Sequence, residues 1–216
     1  MRVLSSALAA ALLLGLPAVA QNTAPLRWAE GAPNATSETK SDAKVEGLKT
    51  DDVHIFVSLS DLKDTTYNRV WIQIANHSKA PIDFDPQSAI LVNSEKDKTV
   101  RAEDPEKAAN SVQKYGEAKS QELSSAHCNM AGAVQCQPTN AQMQMSKQVA
   151  AFTTQQAQWV RDNKLARTTI APGQEVQGIV MFRKDKKAAN YILRVPAGAQ
   201  TFEFPLSALN KTPSYD

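Results

Sequence analysis

The residues best suited to chemistry in this sequence lie in one short stretch around its two cysteines. The chain has only two cysteines, Cys128 and Cys136, and one of its three histidines directly precedes the first of them. Imidazole, thiolate and thioether groups together suit a soft ion such as Cu(I). The stretch is therefore compatible with a soft-metal site, whose donors would be His127, Cys128, Met130, Cys136, Met143 and Met145.

The start of the chain predicts export. Arg2 gives a positive beginning, residues 3–16 form an apolar run, and residues 18–20 read Ala-Val-Ala, a typical cleavage pattern. The run is too short to span a hydrocarbon core of about 30 Å, and no later stretch is apolar enough. We expect a signal peptide over residues 1–20, and a periplasmic or extracellular protein with no transmembrane segment after cleavage.

A disulfide is the interpretation we favour for Cys128 and Cys136. Seven residues separate the two cysteines, which is enough for acceptable bridge geometry, and an exported chain meets an oxidising compartment. Oxidation would remove the two best donors for a soft metal, and the spacing matches no zinc or haem pattern. We therefore expect a structural bridge and no cofactor, with copper binding as the alternative.

Charge and motifs argue against two functional classes. Removal of the signal takes away one arginine and lowers the formal net charge from +2 to +1, which gives no electrostatic basis for binding nucleic acid. The sequence lacks a phosphate-binding loop, a Gly-x-Ser-x-Gly elbow and a His-Glu-x-x-His helix. We interpret His54 and His77 as ordinary strand and turn residues, and Asp83 and Asp85 as turn residues. The sequence favours a protein that is not an enzyme.

Most of the chain shows the period-two alternation of half-buried strands. Residues 21–50 have few large apolar side chains, so we expect a flexible tail there. The short strands that follow, with turn signals between them, predict a two-sheet sandwich built from residues 51–104 and 164–210. The strand candidates are residues 53–60, 70–75, 89–93, 98–102, 166–171, 175–183, 190–195 and 200–206.

A helical hairpin is expected to interrupt the strands over residues 105–163. Asp104 followed by Pro105 is a typical helix start, and Thr139 with Gln142 matches a capping box. Apolar residues then recur at three- and four-residue spacing in both segments. The two cysteines would lie at the tip of this hairpin.

One face of the sandwich is unusually apolar. Phe56, Trp71, Ile179 and Met181 all alternate with strand residues that should point into the core, whereas a solvated outer face is normally polar. An apolar outer face needs a cover. We expect the hairpin to provide it, because its own apolar stripe also needs a partner; the alternative is that these four residues form an interaction surface for another protein.

Two segments resemble a family of secreted bacterial domains. Residues 70–78 (VWIQIANHS), the following Pro81-Ile82, and residues 165–182 (LARTTIAPGQEVQGIVMF) match its alternating strand and its Pro-Gly turn. The acid after the turn is displaced by one position, and the lipid-bearing cysteine of several relatives is missing. The resemblance implies an immunoglobulin-like two-sheet sandwich and brings no catalytic residues.

The sequence as a whole predicts a mainly β, exported, non-enzymatic protein with an inserted two-helix hairpin. It would act as a binding or envelope-associated protein through contacts with an unknown protein partner or envelope component. The alternatives are the soft-metal protein described above and an enzyme with an unrecognised site.

Overall fold

The computed structural model describes residues 24–40, 43–61, 66–96, 98–125, 138–184 and 190–207. The signal peptide and the stretch that contains both cysteines lie outside these residues. The described part of the chain forms the following elements: β1 (Leu26–Arg27), β2 (Ala35–Lys40), β3 (Ala43–Lys49), β4 (Val53–Asp61), β5 (Tyr67–Asn76), β6 (Ile82–Phe84), β7 (Ile90–Asn93), β8 (Lys98–Glu103), α1 (Pro105–Ser125), α2 (Asn140–Asp162), β9 (Thr168–Ile170), β10 (Glu175–Arg183), β11 (Asn190–Ala197) and β12 (Gln200–Ser207).

Ten of the described strands form one curled sheet, in the order β1-β12-β11-β7-β8-β10-β5-β4-β3-β2. Strand β8 joins its two halves, since it pairs with β7 along most of its length and with β10 only through Ala102 and Glu103. Inward side chains from both halves enter one core that includes Val57, Ile72 and Phe202. The predicted mainly β fold with two helices is therefore confirmed.

The predicted tail over residues 21–50 is wrong for the residues that the structure describes. Strands β1, β2 and β3 add to both ends of the sheet, and Leu48 is fully buried. Trp28 is also buried, and its indole N–H donates to the carbonyl of Thr36 at 3.0 Å. Few apolar residues suffice here because the sheet, and not the segment itself, supplies the core.

The aspartates before Pro86 occupy a strand and a cap. Asp83 lies in β6, which pairs with β9, and its carboxylate accepts a hydrogen bond from Thr169 at 2.6 Å. Asp85 caps a short 3-10 turn by accepting from the N–H of Gln87 at 2.9 Å. The turn interpretation is right for Asp85 and wrong for Asp83.

The two helices begin where the capping residues predict. Asp104 accepts from the N–H of Lys107 at 2.9 Å, and Thr139 forms both bonds of the capping box with Gln142. The helices pack against each other through small residues, and a Cβ on Gly116 would overlap the Thr153 side chain. The buried residues of the pair are Ala108, Ala109, Val112, Gly116, Ser146, Thr153, Ala157 and Val160.

The base of the hairpin is tied to β10. After α2, the backbone of Asn163 and Leu165 hydrogen-bonds to that of Ile179 at 2.8 and 3.1 Å. Gly178 makes this approach possible, because a Cβ there would lie 2.8 Å from the backbone nitrogen of Leu165. At the start of α1, Glu103 pairs with Arg183 on β10 at 3.0 Å. Both legs of the hairpin are thus anchored beside the same strand.

Candidate functional site

The outer face of β4, β5 and β10 has a covered part and an open part. Ile179 and Met181 are 2 % and 1 % exposed, because they pack beneath α1 and α2 together with Tyr67. Phe56 and Trp71 lie on the same face but remain partly exposed. The hairpin therefore covers two of the four residues predicted to form this surface and leaves the other two beside a groove.

Cross-strand register builds the floor of this groove. Glu38, Val45, Ser58, Trp71 and Ile179 are successive partners across β2, β3, β4, β5 and β10, so they form one row across the sheet. Neighbouring strands are about 4.8 Å apart, which gives the row a length of about 19 Å. The floor is thus a band that crosses five strands.

Helix α2 supplies the wall of the groove. The ring of Trp159 is partly exposed and stands over the sheet, and the guanidinium of Arg69 on β5 lies 4.5 Å from its centre. A cation over an indole face is attracted by the ring quadrupole. Burial lowers the pKa of Arg69, although a guanidinium remains charged at any physiological pH. This pair holds the wall in position relative to the floor.

A glycine fixes the position of the other aromatic side chain. Gly47 is the cross-strand partner of Phe56, and a Cβ on Gly47 would lie 2.6 Å from a Phe56 ring carbon. The ring therefore lies across the space that a larger residue would fill, and the ammonium of Lys49 lies 5.8 Å from the ring centre. The floor keeps a flat aromatic surface because residue 47 has no side chain.

The resulting groove encloses about 900 Å³, within the size range of ligand-binding clefts. Its surface combines aromatic rings with a few polar groups, which is the composition that such clefts share. The lining residues are Glu38, Ala43, Val45, Phe56, Ser58, Arg69, Trp71, Gln73, Trp159 and Ile179. The helical spacing of Trp159 predicts that it faces this surface, but nothing in the sequence pattern indicated Arg69 as its partner, because their approach depends on how the hairpin docks.

Two histidines lie together beyond the Phe56 end of the groove. The ring centres of His54 and His77 are 4.1 Å apart, and the ring planes are tilted by 45°. Burial lowers the pKa of His54, and the charges of His77 and Lys49 lower it further. The sequence interpretation treated the two as separate, ordinary residues, but the structure brings them into contact.

The predicted soft-metal set is described only in part. His127, Cys128, Met130 and Cys136 lie outside the described residues, as does the predicted disulfide. Met143 and Met145 lie near the start of α2 and are 40 % and 56 % exposed. Because helical residues two positions apart do not face each other, their thioethers do not converge on one point. Among the described residues, no group of three or more His, Cys, Asp or Glu side chains is arranged to hold a metal ion.

Comparison with known proteins gives no further information on this site. A scan against protein-family models, a search of curated proteins and a search of solved structures each found no match. Neither described helix has both the length and the apolar character needed to cross a lipid bilayer.

Proposed function

We propose that this chain is an exported, non-enzymatic binding protein that holds an extended segment of a partner protein in the groove. The observation that carries the proposal is the clustering of Trp71, Trp159 and Arg69 around one cleft. Tryptophan and arginine are enriched among the residues that contribute most to protein–protein binding, especially where they line a pocket that excludes water. Trp71 and Trp159 also pack against the cluster beneath the hairpin, and both remain partly exposed toward the groove.

The shape of the groove favours an extended peptide segment. The part of its floor outside the hairpin cover, from Glu38 to Trp71, is about 14 Å long, which matches about four residues of an extended chain at 3.3 Å each. Apolar side chains of the segment would pack on Trp71 and against Trp159, while Ser58 and Gln73 offer hydrogen bonds beside them. We expect a bound segment to carry at least one large apolar residue.

Export and family membership are part of the same proposal. The three-part pattern of residues 1–20 supports export. Two halves of a mostly antiparallel sheet that enclose one core support an immunoglobulin-like two-sheet sandwich. An exported domain of this class typically works through contacts made by its surface, in agreement with a groove and not a catalytic centre. Envelope association would follow if the partner belongs to the envelope.

Selection from a random peptide display library tests the binding proposal directly. We expect the purified mature chain to enrich peptides that share a large apolar residue. The same peptides should bind the Trp71→Ala variant at least tenfold more weakly, because the floor of the groove loses its largest contact. Phe152→Ala is the control, since Phe152 is an aromatic residue that is 58 % exposed and does not line the groove.

Three outcomes would contradict the proposal. The first is that the library yields no enriched peptides. The second is that the enriched peptides bind Trp71→Ala and wild type equally. The third is that Phe152→Ala weakens binding as much as Trp71→Ala does. If peptides fail but a small-molecule library gives ligands that Trp71→Ala loses, the groove binds a ligand of another class and the protein-partner proposal is overturned.

Mass spectrometry of the chain expressed in a secreting host tests export. We expect the mature mass to correspond to loss of residues 1–20. A full-length chain that stays in the cytoplasm would contradict this part of the proposal and leave the groove proposal untouched.

A further inference from the structure

The two contacting histidines lie on rigid backbone. His54 is on β4, two positions from Phe56 on the same face of the sheet. His77 directly follows β5, and its backbone N–H donates to the carbonyl of Asp52 at 2.7 Å. This bond joins the end of β5 to the turn that precedes β4. The two residues are 23 positions apart in the sequence, and the pairing of β4 with β5 brings them together.

Buried hydrogen bonds hold the backbone on both sides of the pair. Asn76 is 1 % exposed, and its amide donates to the carbonyls of Ala80 and Ile170 at 2.9 and 2.8 Å. Its carbonyl oxygen accepts from the N–H of Ser78 at 2.9 Å. On the other side, the Thr50 hydroxyl oxygen accepts from the N–H of Val53 at 2.9 Å. The backbone positions of both histidines are therefore set by the scaffold, and the ring separation can change only by side-chain rotation.

From this geometry we propose that His54 and His77 together bind a divalent first-row transition-metal ion, with Cu²⁺ held most tightly. Neutral imidazole nitrogens suit copper, nickel and zinc, and Cu²⁺ has the highest affinity in this series. Two imidazoles on one ion, each with a metal–nitrogen distance of about 2.0 Å, have ring centres about 4.5 to 5.2 Å apart. The two ring centres, now 4.1 Å apart, would have to move about 0.4 to 1.1 Å farther apart to reach this range. Water would fill the remaining coordination positions.

A positive charge beside the histidine pair should lower its affinity for a cation, and this effect can be measured. Lys49 on β3 is the cross-strand partner of His54 and is the cation that acts on its imidazole. The positive charge of the Lys49 ammonium repels a metal cation, so removal of this ammonium should strengthen metal binding. The Lys49→Gln variant therefore provides a change in the opposite direction from the histidine variants.

Calorimetric titration of CuCl₂ into the full mature chain tests the site. We expect one Cu²⁺ per chain at this site, an affinity at least tenfold lower in His77→Gln and in His54→Gln, and a tighter complex in Lys49→Gln. Electron paramagnetic resonance of the Cu²⁺ complex should show hyperfine lines from two imidazole nitrogens. His77 is exposed, so its variant keeps the test informative if His54→Gln folds poorly.

The same titration on His127→Gln separates this site from the cysteine-rich stretch. No copper uptake by wild type would overturn the proposal, as would uptake that persists unchanged in the His54→Gln/His77→Gln double variant. Uptake that disappears with His127 and not with His77 would also overturn it. The site does not depend on peptide binding in the groove.

Discussion

The covered and open parts of the outer face differ in the size of the residues that meet there. Beneath the hairpin, Ile179 and Met181 pack against alanines such as Ala108 and Ala157, which let the helices approach the sheet closely. In the open part, Phe56 on β4 and Trp71 on β5 remain partly exposed, although Trp71 also packs against the cluster beneath the hairpin. One sheet face therefore forms a second core at one end and the floor of a groove at the other.

The positions of the hairpin anchors explain which strands the hairpin covers. Both of its legs are anchored beside β10, through Asn163 and Leu165 on one side and Glu103 on the other. Strands β3 and β4 lie farther along the sheet and receive no such anchor from the hairpin in the described residues. The hairpin thus covers the strand that holds it, and its outer wall, Trp159, becomes the edge of the groove.

The largest expected effect is a difference in stability between a variant of the covered part and a variant of the open part. Met181→Ala leaves a cavity under the hairpin and should lower the free energy of unfolding by about 2–5 kcal/mol. Trp71→Ala should cost less, about 1–2 kcal/mol, because the side chain is partly exposed although it packs against the second core. Urea denaturation of both variants measures the difference. Equal losses would show that the open part is also a structural core.

A smaller effect on stability tests how closely helices α1 and α2 must pack against each other. Gly116→Ala places a methyl group against Thr153, and overpacking of this kind costs about 1–3 kcal/mol. We expect a lower melting temperature and a weaker helical signal in circular dichroism. Adding Thr153→Gly, which removes the side chain that this methyl group would overlap, should recover part of the loss. A Gly116→Ala variant as stable as wild type would contradict the close packing.

The wall of the groove gives the next test. Arg69→Gln removes the cation from the face of Trp159 and should cost about 0.5–1 kcal/mol. Without this contact we expect the indole to become more mobile, with lower tryptophan fluorescence anisotropy. Gln73→Ala is a control on the same strand and the same face. An equal fall of the anisotropy in both variants would show that Arg69 does not hold the wall.

A cluster of ion pairs surrounds Glu203 on strand β12, in the half of the sheet away from the hairpin. Its removal gives the smallest expected effect on stability. Burial alone would raise the pKa of Glu203, but bonds from Arg194 at 2.7 Å and Arg27 at 3.0 Å outweigh it, so its pKa is lowered. A lowered pKa in the folded state means that the carboxylate stabilises the fold above the ordinary glutamate range, and this stabilisation is lost as the pH falls through the lowered pKa.

Thermal unfolding of wild type and Glu203→Gln from pH 7 to pH 3 checks the sign. The wild type should be the more stable of the two at pH 7, and the gap should narrow toward pH 3. A gap that stays constant over this range would show that the ion pairs contribute nothing that depends on the charge of Glu203.

Local patterns predicted the elements whose signals lie within a few residues. Asp104 and Thr139 marked both helix starts, and the two-sided apolar character of β10 predicted that Ile179 and Met181 need a cover. Strand β3 was missed because residues 21–50 have few large apolar side chains, and nothing in the pattern indicates that Glu46, which is 4 % exposed and pairs with Lys44, would be buried.

The groove and the histidine pair depend on contacts between distant segments. Trp159 and Arg69 meet only because α2 docks at a particular angle over β5. His54 and His77 meet because the register of β4 on β5 pairs His54 with Ala75, two residues before His77. A period-two pattern reports which face a residue occupies, but it does not report which residue of another strand lies beside it.

Hydrogen–deuterium exchange with and without a selected peptide shows which part of the outer face binds the peptide. We expect slower exchange in residues 54–58 and 69–73 and around Trp159 when the peptide is bound, with no change in residues 105–112 of helix α1. Protection confined to other parts of the chain, with residues 54–58 and 69–73 unchanged, would contradict the claim that the open part of this face is the binding surface.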